Sequence, residues 1–378
     1  MIKRAGVFLL TLIFVLCAAA CCGGEEPKTT ETPATEAPAT ETPATDVPAT
    51  DVPATEAPAT EAPATDVPAT EAPATEAPAA DAREAYPIEE NTGYKSETYP
   101  YLVRTPSAVW YLAADDIALL GEEAYYDGLY AILEYAEADF TDAREALKGY
   151  IFEEVQPVII HTDFCGHEDM AKLPTNGYFT NGTISLYRGW AEAADVLLHE
   201  YVHYLTLNRA AHSTAGNYWR ESVGEYVSRL VCRNRTADMY YTWGREDQLS
   251  EIEAEAKQYG FWDYEEERAD TRKLTFLYAQ MVLNGDIVGH EYFCIGQKTI
   301  VRTQEIQDDP ARQDLMYSEA ACMMAYLVEA YGRDLVFSNW NSSVMQMEDA
   351  FGKTFSELYH EFAEWNAEQC VQMGLITG

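Results

Sequence analysis

The chain has 378 residues, with 63 acidic against 25 basic side chains and a formal net charge of −38. That balance excludes a protein that reads polyanions such as nucleic acid, which needs a basic face. Eight cysteines in so long a chain are too sparse for a disulfide scaffold.

Lys3 and Arg4 precede an almost wholly apolar run, Val7 to Val15, followed by Cys17-Ala18-Ala19-Ala20-Cys21-Cys22. The run is too short to span a bilayer and has small residues behind it, so 1–20 reads as a secretory signal. Cys21 after two alanines fits the acceptor of a bacterial lipoprotein, with leucine replaced by Ala18. Ordinary cleavage near Ala20 is the alternative and would release the protein.

Residues 21–30 form the lipid-anchored start. From Glu31 to Ala80 run ten pentads of the form acid–x–Pro–Ala–Thr. They contain no aromatic or long aliphatic residue that could build a core. Recurrent proline favours extended chain, and fifty such residues reach roughly 150 Å at about 3.1 Å each. The expectation is a disordered stalk that holds 84–378 outside a membrane.

The chain after Ala80 carries 51 acids and 22 bases, and 84–378 is long enough for a substantial core. Its expected architecture is α+β, with a mixed lobe over 84–207 and a mainly helical lobe over 208–378. Apolar periodicity predicts helices over 116–137 and Ala143–Phe152, then a short strand over 155–160. Gly177–Tyr187 reads as a hairpin turning at Asn181-Gly182. Further helices are predicted over 248–259, 265–283, 315–331 and 355–368, with Gly332 capping one. Five cysteines remain here, so at most two disulfides close; Cys322 is the expected buried thiol. His161 and His167 flank Cys165 without a paired-ligand spacing and are taken as structural.

The chemistry gathers in the predicted helix 191–207. His199 and His203 are four apart and share a face, so both imidazoles can hold one zinc ion. Glu200 points about 100° away, outside the ligand set yet able to reach a metal-bound water as general base. A catalytic site needs a third protein ligand, and Glu221, on a second helical run opening at Tyr218, is placed to supply it. Glu225, one turn on, is placed to accept the second ring N–H of His199 or His203.

His199-Glu200-Tyr201-Val202-His203-Tyr204-Leu205 resembles the zinc helix of the microbial collagenases, and Trp219-Arg220-Glu221-Ser222-Val223-Gly224-Glu225-Tyr226 resembles the third-ligand helix of gluzincin metallopeptidases. Ser222 replaces the usual glycine and Gly224 the usual alanine. The short gap from His203 to Glu221 is nearer to the aminopeptidase and thermolysin-like branches. This resemblance, over roughly 160–365, implies a zincin-like domain with one zinc per chain and a protein or peptide substrate. It also implies that Thr183, Ile184, Ser185, Leu186 and Tyr187 form the open edge strand that pairs with substrate. Tyr317 would stand at the start of a closing helix and donate to the oxyanion; a packing role is the alternative. Together these features predict a monomeric zinc metallopeptidase on the outer face of a bacterial membrane. Two rivals remain: a catalytically silent surface lipoprotein on the same scaffold, and a hydrolase of a non-peptide or cell-wall amide.

Overall fold

The structure is a computed structural model describing residues 82–152, 154–165, 176–207, 217–237, 249–284, 310–339 and 349–377. The signal, Cys21, the repeat, His167 and Cys294 lie outside these residues. A one-turn helix, α1 (Ala82–Ala85), leads into three strands, β1 (Ile88–Glu90), β2 (Tyr101–Arg104) and β3 (Ala108–Leu112). Helices α2 (Ala114–Leu120) and α3 (Glu122–Ala146) follow, then β4 (Val158–Thr162), β5 (Gly177–Thr180) and β6 (Thr183–Leu186). These six strands form one mixed sheet in the order β1-β2-β3-β4-β6-β5. β3, β4 and β6 are parallel, and the outer pairings are antiparallel.

Strand alternation builds the core. Trp110 and Leu112 of β3, Ile160 of β4, and Ile184 and Leu186 of β6 are buried with Leu129, Ile132, Leu133 and Phe140 of α3. Over this core lies α4 (Trp190–Leu207), whose Leu197, Leu198, Tyr201 and Val202 are fully buried. Burying such side chains contributes about 1.5–3 kcal/mol each before entropy is counted. α4 therefore cannot rotate without exposing a stripe of them, and its polar face is fixed in direction.

The rest is mainly helical. α5 (Asn217–Tyr226) continues into a π turn over Val227–Val231. Then come α6 (Leu249–Tyr259), a small ribbon of β7 (Trp262–Asp263) and β8 (Arg268–Ala269), and α7 (Thr271–Leu283). α8 (Pro310–Tyr331), α9 (Arg333–Asn339) and α10 (Phe355–Gln372) close the chain. α8 packs on both α5 and α7. Among the described residues no helix is long and apolar enough to cross a membrane.

The architecture is mixed α and β, as expected, and several local expectations need correction. The predicted helix 116–137 is broken at Gly121 into α2 and α3, and α3 runs on to Ala146. Of the helix predicted over Ala143–Phe152, only 143–146 are helical, as the end of α3, because the chain turns after Leu147 through Gly149 at φ 87°. The strand predicted over 155–160 starts after Pro157, where Val158 donates to the Ser107 carbonyl at 2.9 Å. Residues 265–270 are turn and ribbon rather than helix, and α7 begins when Asp270 accepts from the Lys273 N–H at 3.0 Å. The hairpin stands as predicted: Asn181 and Gly182 have φ of 49° and 80°, the positive pair of a tight two-residue turn. Cys165, Cys232, Cys322 and Cys370 are free thiols, with Cys322 buried.

Candidate metal centre

α4 presents His199, Glu200 and His203 toward α5, which brings Glu221 across the gap. Oε2 of Glu221 lies 3.3 Å from His199 Nε2 and 3.5 Å from His203 Nε2. These are the separations of atoms sharing one ion: bonds of about 2.0–2.1 Å in a tetrahedron put its corners roughly 3.3–3.4 Å apart. All three ligand atoms fall within 4.8 Å of one another. The imidazoles stand nearly perpendicular, centroids 4.4 Å apart, so their Nε2 atoms converge while the rings avoid each other.

Glu225 lies behind the site, its Oε1 3.0 Å from Nδ1 of His199. With a carboxylate at that distance behind Nδ1, Nε2 is the nitrogen left to face Glu221, an acceptor facing an acceptor unless a proton or cation lies between. The donor set therefore fits a metal ion. Of the two histidines open to Glu225 from sequence, His199 is the one it meets. Nδ1 of His199 and Nδ1 of His203 are both buried without an aligned hydrogen-bond partner among the described residues, so Glu225 meets His199 as a nearby charge.

Electrostatics agree with this division of roles. Burial opposes a charged His199, but Glu225, Glu221 and Glu200 outweigh it and raise its pKa well above the usual imidazole range. Burial likewise pushes Glu225 up, yet Arg229 and then His199 bring it down to about 2. For Glu221, burial is overcome by the two histidines, and its carboxyl sits well below the ordinary value. Glu200 goes the other way: desolvation dominates and raises it, with His199, His203 and, least, the Phe179 backbone N–H opposing.

Close approach of α4 and α5 depends on Gly224. A Cβ there would lie 2.8 Å from His199 Cε1, 2.9 Å from Nδ1 and 3.3 Å from His203 Cε1. The glycine that stands where the resembled segment has alanine is the residue this spacing requires. Ser222 is fully buried, and the Trp219 side chain lies outside the description.

Two expectations are corrected. Thr183, Ile184, Ser185 and Leu186 do not form an edge, since β6 is paired on both sides, with β4 and with β5. The outer strand is β5, and through Phe179 it meets Glu200. Tyr187 follows β6 and is buried; desolvation raises its hydroxyl pKa, Ser185 opposes, and Asp163 and Glu200 add to the rise. Tyr317 is not at a helix start either, because α8 begins seven residues earlier at Pro310. It nevertheless reaches the site, its ring centroid 6.2 Å from that of His199. His161 is buried and stacked on Tyr99 at 4.5 Å, in keeping with a structural role.

Arg229 is the residue that sequence reasoning missed. Its signal was its place four residues after Glu225, the spacing of a helical ion pair. Comparison of the chain with family profiles, with curated proteins and with solved structures gave no match.

Proposed function

We propose that residues 84–378 are a zinc metallopeptidase domain of gluzincin type, which cleaves peptide bonds outside the cell. The observation that carries this reading is the meeting of His199, His203 and Glu221 at tetrahedral separations, with Glu200 enclosed beside them. Two imidazoles and one carboxylate suit zinc and leave a fourth position for water or substrate. Zinc bound there would acidify that water and polarise a carbonyl oxygen.

The remaining roles belong to the chain. Glu200 takes a proton at its carboxylate and passes it to the departing amine; its raised pKa brings it nearer to neutral pH, where such exchange is most efficient. Glu225 holds the His199 ring in one tautomer and one direction. The hydroxyl of Tyr317, on the far wall, donates to the oxygen that gains charge. An extended peptide pairs with the outer strand β5, the position that replaces the one assigned to β6 from sequence. Glu200 already meets β5 at the Phe179 N–H, so a peptide laid along that edge passes the base.

The amino-terminal features complete the proposal. Export under the signal of residues 1–20, lipidation at Cys21 and the repeat of Glu31–Ala80 would tether a monomeric enzyme beyond the membrane. Metal analysis of the purified full chain, with cleavage of an unbiased peptide library, tests the catalytic part. About one zinc per chain and metal-dependent cleavage are expected. A reconstituted protein that takes up no zinc defeats it, and zinc without peptide cleavage directs attention to the silent lipoprotein or the wall-amide hydrolase.

A further inference from the structure

Past Tyr226 the third-ligand helix changes its winding. The π turn over Val227–Val231 is closed by the Cys232 N–H donating to the Val227 carbonyl at 2.9 Å. Such a turn widens a helix locally and recurs at functional sites. Arg229 lies in its middle, with about a quarter of its side chain exposed.

The guanidinium serves two walls of the site. Its Nε donates to Oε2 of Glu225, whose other oxygen lies 3.0 Å from His199 Nδ1. One of its terminal nitrogens donates to Oγ of Ser318 on α8 at 3.4 Å. Ser318 is fully buried and adjoins Tyr317. One planar fork thus touches the carboxylate nearest a metal-facing imidazole and a buried hydroxyl of α8, the helix that also carries Tyr317. A lysine ammonium has donors but no rigid fork with which to hold both at once.

We infer that Arg229 is a positioning residue that sets His199 through Glu225 and, through Ser318, fixes α8, the helix that carries Tyr317, against α5. The inference rests on the metallopeptidase reading of this site and adds to it a link between metal affinity and turnover. The two arms are separable. Losing the Glu225 arm weakens metal binding, since the imidazole is no longer aimed. Losing the Ser318 arm leaves the metal alone and loosens α8, so that Tyr317 meets the transition state less well, which lowers kcat without moving KM.

The test uses the full chain and three variants, Arg229→Met, Arg229→Lys and Ser318→Ala. Zinc affinity is measured by competition with a chromophoric chelator, and metal-free protein is melted to compare folds. kcat and KM are taken on a peptide drawn from the library. Arg229→Met is expected to weaken zinc roughly 10–100-fold and to lower kcat. Arg229→Lys should recover most of the zinc affinity but not kcat. Ser318→Ala should bind zinc within about twofold of the parent while losing kcat at constant KM. If Arg229→Met does not fold, the lysine and serine variants decide alone, because each separates affinity from turnover. Parent-like zinc affinity in Arg229→Met, or affinity and kcat falling together in Ser318→Ala, would overturn the inference. A parent chain that binds no zinc would instead overturn the metallopeptidase reading, and Arg229 with it.

Discussion

Glu225 of α5 and Glu319 of α8 are two enclosed glutamates on helices that pack together. Burial acts on both alike, favouring the neutral acid. Glu225 has Arg229 and His199 against its oxygens and is drawn down to about 2. Glu319 has the Tyr359 hydroxyl, which only partly offsets burial, and is left at about 8. The same side chain is therefore an anion at the metal centre and a neutral acid in the helical core. Partners decide the protonation state, and only the charged one has a ring to orient.

The largest test of this contrast removes the charges on the metal side. Glu221→Ala should weaken zinc by more than the roughly 100-fold upper range for an outer partner, because it deletes a direct ligand. Glu200→Gln should keep the metal and lose roughly 10²–10⁴-fold in kcat, the usual worth of an acid–base group. Metal content and single-turnover rates separate the two, and a Glu200→Gln protein with parental turnover would remove Glu200 from the reaction.

Next comes the carboxylate that only aims. Glu225→Ala is expected to weaken zinc about 10–100-fold, less than Glu221→Ala. A chelator titration that ranks them the other way would exchange their roles. Gly224→Ala tests the space between the helices. The added methyl meets both imidazoles, so metal affinity should fall, with an overpacking cost of about 1–3 kcal/mol in a urea melt.

A pH effect separate from the metal lies on the neutral side. Glu319 has its pKa raised on folding, from 4.5 to about 8. The folded state therefore keeps a proton that the unfolded chain has released. Its contribution is fully present below pH 4.5 and is lost as pH rises through about 8. Stability should fall across that window by an amount on the order of a few kcal/mol. Glu319→Gln, which cannot ionise, should flatten this part of the profile. Denaturant melts at pH 5 and pH 8 would show it, and an unchanged slope would place the proton elsewhere.

The candidate metal centre was legible because its parts come from two short helical segments, within which a four-residue spacing fixes which side chains share a face. His199 with His203, and Glu221 with Glu225, needed only that rule and a reason for α4 and α5 to meet. The edge strand was not legible in the same way. The turn at Asn181-Gly182 announces a hairpin, but which arm lies outside depends on which one pairs with β4. That is a contact between distant parts of the chain. Likewise the resemblance put Tyr317 at a helix start, and the apolar stripe read over 315–331 did not correct it, whereas Pro310, suited to a first turn, opens the helix earlier. The strands β2 and β3 were readable and were passed over. Tyr101–Arg104 and Ala108–Leu112 flank Thr105-Pro106-Ser107, a turn between two β-prone runs.

The outer strand β5 has a consequence beyond catalysis. A strand edge that can take up a peptide can equally take up the same edge of another copy, and Tyr178 stands there 48% exposed. Four residues is short for such a template, and a formal charge of −38 keeps identical chains apart in dilute buffer. That protection is screened by salt, since at 1 M the Debye length shrinks to about 3 Å. Concentrated salt, or acid that neutralises the carboxylates, should thus expose a tendency to self-associate through β5. Storage of the purified protein near neutral pH and low ionic strength follows directly from the shape of its sheet.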